Sequence, residues 1–231
     1  MQERTRMGKA MRIAMAGAVL ILLSAGMIRT SQRGGASSPV PTVTIGTQVW
    51  MRSNLDVCTF RNGDSIPQAK TYYALDSFDR LKQAAWSYYM NSCDSSRPYG
   101  RLYNWYAVSD VRGLAPEGFH VASDSDWMQL IEATGGREKA GNALKTVKGW
   151  RPSTFSNDKA NNSSGFSALP GGYQYASGGG FSFKGETGYW WTGTAKSGSQ
   201  SWVWALYHVS GYADHFGENH ANAYAVRCVK D

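Results

Sequence analysis

Five short segments decide how this chain reads: YGRLYNWYAV (Tyr99–Val108), APEGFHVASDSDW (Ala115–Trp127), GFSALPGG (Gly165–Gly172), GYWWTGT (Gly188–Thr194) and AVRCVKD (Ala225–Asp231). The second announces a helix. Ser123 or Asp124 is the N-cap, and Trp127, Leu130 and Ile131 form the buried stripe of a helix from about Ser125 to Thr134. In the first segment Leu102, Trp105 and Tyr106 recur at i, i+3 and i+4, which predicts another helix over about Gly100 to Val108. A third, shorter helix is read around Lys139 to Val147, with Ala140, Leu144 and Val147 on one side.

The last segment is a strand by the period-two rule. Tyr224, Val226 and Cys228 share one face, and Ala225, Arg227 and Val229 share the other. Cys228 is then a buried, inert thiol. TVTIGTQVWM (Thr42–Met51) mixes β-branched and polar residues around a glycine and reads as a strand or hairpin opening the sheet. From Gly149 onward Gly, Ser, Asn and aromatics dominate, predicting loops and short, twisted antiparallel strands.

With 231 residues, 42% of them hydrophobic, the chain has material for one full-sized domain and too little for two large ones. The formal charge of +7 is unevenly placed: Arg4, Arg6, Lys9, Arg12, Arg29 and Arg33 against Glu3 lie before Gly34, leaving 18 basic and 16 acidic residues beyond. Interleaved charges of that balance do not make a phosphate-binding patch, so nucleic acid is not an expected partner. The basic start precedes an apolar run from Ile13 to Ile28 in which only Ser24 is polar. That is a signal-peptide layout, short for a bilayer-spanning helix, and residues 1–29 read as a signal peptide or N-terminal anchor. Export follows, to the periplasm, the cell surface or the medium, with membrane contact only through this segment. Met27 stands where a lipoprotein needs Cys. Residues 30–41 form a Ser-, Gly- and Pro-rich flexible linker, and the domain covers 42–231. Cys58, Cys93 and Cys228 allow at most one internal disulfide; export permits a bridge between the first two.

IGTQVWMRSNL (Ile45–Leu55) and the five segments quoted above, in this order, resemble the Fibrobacter succinogenes major paralogous domain family of exported bacterial proteins. The resemblance implies an α+β, C-type-lectin-like fold related to that of formylglycine-generating enzymes: two helices packed on a small twisted antiparallel sheet, with a loop-rich C-terminal half. Many relatives have Cys where this chain has Ser87 and Ala115, so the family's disulfides do not carry over.

Motifs for chemistry are sparse. The Glu-Pro-Asn, Gln-Pro-Asp and Trp-Asn-Asp strings with which true C-type lectins ligate Ca²⁺ do not occur. Formylglycine-generating activity requires a reactive cysteine pair, and the three cysteines here are scattered. Asp124 and Asp126 have the look of a glycosidase pair, but their place at a helix start makes capping the simpler role. His208, Asp214, His215, Glu218 and His220 cluster without matching a zinc spacing, so no metal, cofactor or catalytic residue is assigned. His120, beside Phe119, reads as structural.

Nine Trp in so small a domain must be mostly core, notably Trp50, Trp105, Trp127, Trp190 and Trp202. The exposed aromatics are what can bind. Tyr207, His208, Tyr212, Asp214, His215, Phe216 and His220 fall in a region of little apolar periodicity between two strands, and Tyr-, Ser-, Gly- and His-rich loops suit recognition. Some proteins of this fold are diversified by retroelements that randomise Asn codons. Every residue from Tyr207 to Ala223 except Glu218 is of a type so reachable, though ordinary composition yields nearly as many. The expectation is an exported, non-catalytic binding module whose variable C-terminal surface meets a protein or glycan; the alternatives are a polysaccharide-active enzyme and a structural subunit of a surface appendage.

Overall fold

A computed structural model describes residues 40–231 apart from 72, 155–158 and 179. The expected signal peptide or anchor and nearly all of the expected linker lie outside these residues, and among the described ones no helix is long and apolar enough to cross a membrane. β1 (Thr42–Ile45) and β2 (Gln48–Met51) form a hairpin with Ile45 opposite Gln48. Gly46 opens its two-residue turn at φ 59, a conformation that favours glycine. There follow α1 (Ala74–Arg80), β3 (Trp86–Ser87), α2 (Cys93–Ser96), β4 (Leu102–Asn104), α3 (Trp105–Val108), β5 (Phe119–Val121), α4 (Asp124–Ala133) and α5 (Ala140–Leu144). The remainder is β-structure: β6 (Tyr173–Gln174), β7 (Phe181–Ser182), β8 (Thr187–Ala195), β9 (Gln200–Tyr207), β10 (Ala213–Asn219), β11 (Ala223–Val226) and β12 (Cys228–Lys230).

The strands form two sheets. One has four strands in the order β1-β2-β12-β5; the other has eight, running β10-β9-β8-β11-β4-β3 with β6 and β7 attached through β11. This overturns the two-helix, single-sheet expectation. The chain is β-rich and sandwich-like, the longest helix among the described residues has ten residues, and the α+β, C-type-lectin-like plan is set aside. Nor is the large sheet wholly antiparallel, because β11 runs parallel to β8.

Local chemistry explains the largest departure. The helix expected over Gly100–Val108 is a strand followed by a single turn, since Asn104 is fully buried and its Oδ1 accepts from the amides of Ala85 and Ala107. One side chain thus satisfies the neighbouring chain and caps the turn, and the i, i+3, i+4 apolar pattern serves both conformations. The third helix is likewise shorter than expected, leaving Val147 exposed. By contrast α4 forms as read. Ser123 caps it, Asp126 closes the capping box, and Trp127, Leu130 and Ile131 are buried.

The two faces of the large sheet carry two aromatic cores. Trp127 packs against Trp50, Phe166 and Trp190 with ring centroids 5.3 to 5.6 Å apart. On the opposite face Trp191 meets Trp105 and Tyr224. The terminal alternation holds: Tyr224, Val226 and Cys228 enter the second core while Ala225 and Val229 enter the first. Between β11 and β12 the strand changes sheets at Arg227, which is 1% exposed. Its guanidinium donates to Asn54 Oδ1 and to the carbonyls of Met51 and Phe166, and lies 4.1 Å from the Phe166 ring centre. Burial lowers its pKa to about 9.

Candidate ligand-binding face

The residues expected in a loop after β9 instead continue the sheet. β10 pairs with β9 along its whole length, from Ala213 opposite Leu206 to Asn219 opposite Gln200. A strand at a sheet edge has one neighbour and needs little apolar periodicity, which is why its sequence reads as a turn. The pairing sorts the candidate residues by parity. His215, opposite Trp204, faces the first core, whereas Asp214 and Phe216 face the second together with Tyr189 and Trp191 of β8.

On the first face the His215 ring lies nearly parallel to Trp202 and Trp204, with centroids 4.2 and 4.7 Å away. Its Nε2 is 2.7 Å from Asp124 Oδ1, and the same oxygen accepts from Trp204 Nε1. Asp124 therefore does more than start a helix; it is 7% exposed and ties α4 to β9 and β10. Trp202, expected in the core, is only half-buried, with Lys196 4.5 Å above its ring. Met128, Ile131, Glu132, Arg137, Trp204 and His215 line a shallow cleft beside it. Arg137 closes one end, lying over Trp204 and Tyr212 and pairing with Asp214 at 3.3 Å.

The opposite face carries a cluster of partly exposed rings and carboxylates. Tyr207 donates to Asp214 Oδ2 at 3.1 Å, and burial together with that carboxylate raises its pKa. Tyr189 stands at 71° to Tyr173 with centroids 5.3 Å apart, and at 80° to Phe216 with centroids 6.4 Å apart. Tyr173 in turn stacks between Tyr224 and Phe183. Tyr173, Tyr189, Tyr207, Asp214, Phe216 and Glu218 are all partly exposed. Burial pushes the Tyr189 phenol up to about 12, so these tyrosines are neutral donors and acceptors at physiological pH.

Two expected residues belong elsewhere. His220 stacks on Trp105 and lies 2.9 Å from Ser201 Oγ, 9% exposed, so it is structural; burial lowers its pKa. His208 follows β9, with its amide donating to the Glu186 carbonyl. Among the described residues no group of three or more His, Cys, Asp or Glu is placed to hold a metal. His120, read as structural, is half-exposed and bridges Asp126 and Asp231. No local pattern points to Tyr173, Tyr189 or Phe183 as binding residues, although alternation within GYWWTGT already separates Tyr189 from Trp190.

These features define a β-rich domain with a strand-borne face of aromatic and carboxylate side chains. The Fibrobacter succinogenes major domain model matches residues 43–230, and the chain belongs to that family. Comparison with curated proteins and with solved structures gives no match.

Proposed function

We propose that this protein is an exported binding module that presents the β8–β9–β10 face to a protein or glycan ligand and performs no catalysis. The observation that carries the reading is the group of partly exposed rings, Tyr173, Tyr189, Tyr207 and Phe216, held on paired strands beside Asp214 and Glu218. Rings fixed on strands offer contact area without the entropy cost of ordering a loop. A polysaccharide-active enzyme needs a converging acid–base pair. Asp126 is held in a capping box and Asp124 accepts from the Trp204 indole with His215 packed beside it, so both carboxylates already have structural work. Assembly through the β10 edge is also disfavoured, because the Ala213 amide bonds to the Arg137 carbonyl and the His215 amide to Asp214 Oδ1.

The test is a screen of the full-length protein against bacterial and plant glycans and surface proteins, followed by the Tyr207→Ser, Phe216→Ser double variant. Loss of a specific hit with the folded spectrum retained supports the reading. Binding that survives the double variant, or a screen without any saturable hit, overturns it.

A further inference from the structure

Lysine and arginine lie over aromatic rings across much of this domain. Arg101 covers Trp86 and Tyr88, Arg112 covers Phe60, Lys82 covers Tyr106, Lys184 covers Tyr89 and Tyr99, and Lys196 covers Trp202. The corner formed by Tyr173, Tyr189 and Phe216 is different. Among the described residues no Lys or Arg lies over any of these three rings, although it has two features that attract a cation. Its rings meet at near right angles, and Glu218 projects from β10 on the same face as Phe216. Glu218 accepts from the Asn222 amide at 3.0 Å and makes no ion pair among the described residues. Its charge is felt by the phenols of Tyr173, Tyr189 and Tyr224, whose pKa values are raised by burial first and by this carboxylate as well.

Resting on the binding reading above, we infer that this corner receives a lysine or arginine side chain from a protein partner. The negative ring faces of Tyr189 and Phe216, beside the edge of the stacked Tyr173 and a carboxylate that has no cationic partner among the described residues, complement an ammonium or guanidinium group. Further along the same strand pair Asp214 is already paired with Arg137 and accepts from Tyr207, so Glu218 is the carboxylate of this face left for an incoming cation. The openness of the face selects a protein over a free amine. A single cation on an exposed aromatic site gains only about 1 kcal/mol, so lasting occupancy needs neighbouring contacts from the chain that carries the cation.

Full-length protein with ¹³C-labelled tyrosine is titrated with the acetylated hexapeptide (Gly-Arg)₃ amide, with its (Gly-Gln)₃ counterpart and with cellohexaose. Saturable shifts of Tyr173 and Tyr189 with the arginine peptide alone are expected. Glu218→Gln should weaken them about fivefold, the scale of one cation contact, while Glu117→Gln, the same charge change at an exposed site elsewhere, leaves them unaltered. Equal weakening by both variants, or no arginine-specific shift at these tyrosines, overturns the inference. If cellohexaose shifts Tyr173 and Tyr189 and the arginine peptide does not, the face still binds ligands and only the cationic assignment falls.

Discussion

Arg227 and Asn54 are joined by two hydrogen bonds to a single oxygen: Nε and Nη2 of the guanidinium donate to Asn54 Oδ1 at 3.2 and 2.9 Å. The same oxygen accepts from Trp190 Nε1 at 2.8 Å, while the Asn54 amide donates to the Tyr99 carbonyl. One side chain therefore links the point where the terminal strand changes sheets to the first core and to the loop before β4.

Asn54→Ala should cost about 3 kcal/mol or more, because it strips an acceptor from a buried cation and from a buried indole at once. Urea unfolding monitored by tryptophan fluorescence measures it. A loss below about 1 kcal/mol, the worth of one ordinary hydrogen bond, would mean that Arg227 finds other acceptors.

The His120 clamp predicts a pH dependence. Burial opposes its charge, but its bonds to Asp231 and Asp126 outweigh that and raise its pKa above the ordinary histidine value. A raised folded-state pKa contributes stability that is complete below the unfolded value and lost as pH rises through the folded value. His120→Gln should therefore destabilise the domain more at pH 5.5 than at pH 8.5. Equal effects at both pH values would show that the contact does not depend on the imidazolium.

The thiols should separate by burial. Cys58 and Cys93 are exposed and Cys228 is fully buried, where desolvation pushes its thiol up to about 12. In reduced native protein, iodoacetamide should modify the first two within minutes and Cys228 only in denaturant. Peptide mass spectrometry reads the sites, and labelling of native Cys228 at a rate like that of the others would contradict its place in the second core.

What was legible in the sequence was legible because the deciding partners lie close by in the chain. Ser123 and Asp126 close a capping box three residues apart, Gly46 turns a two-residue loop, and the alternation of Tyr224, Val226 and Cys228 belongs to one short extended stretch of chain. The candidate site was only partly legible for the same reason. The sequence points to Tyr207, Asp214 and Phe216, which do share a face, but it also points to His220 as exposed, whereas that ring lies against Trp105, a contact that no local pattern announces.

Family membership, the capped α4 helix, the opening hairpin and the alternating terminal strand were thus determined by the sequence itself. Tertiary structure decided the rest. Whether Leu102–Asn104 became helix or strand depended on Ala85 and Tyr224 being available to pair. Whether Ala213–Asn219 became loop or strand depended on β9. The parity of that pairing then placed His215 under the indoles and left Tyr189, Phe216 and Glu218 on the open face. Backbone hydrogen bonds between strands distant in the chain carry no local signature, so the face they build appears only when the sheet does.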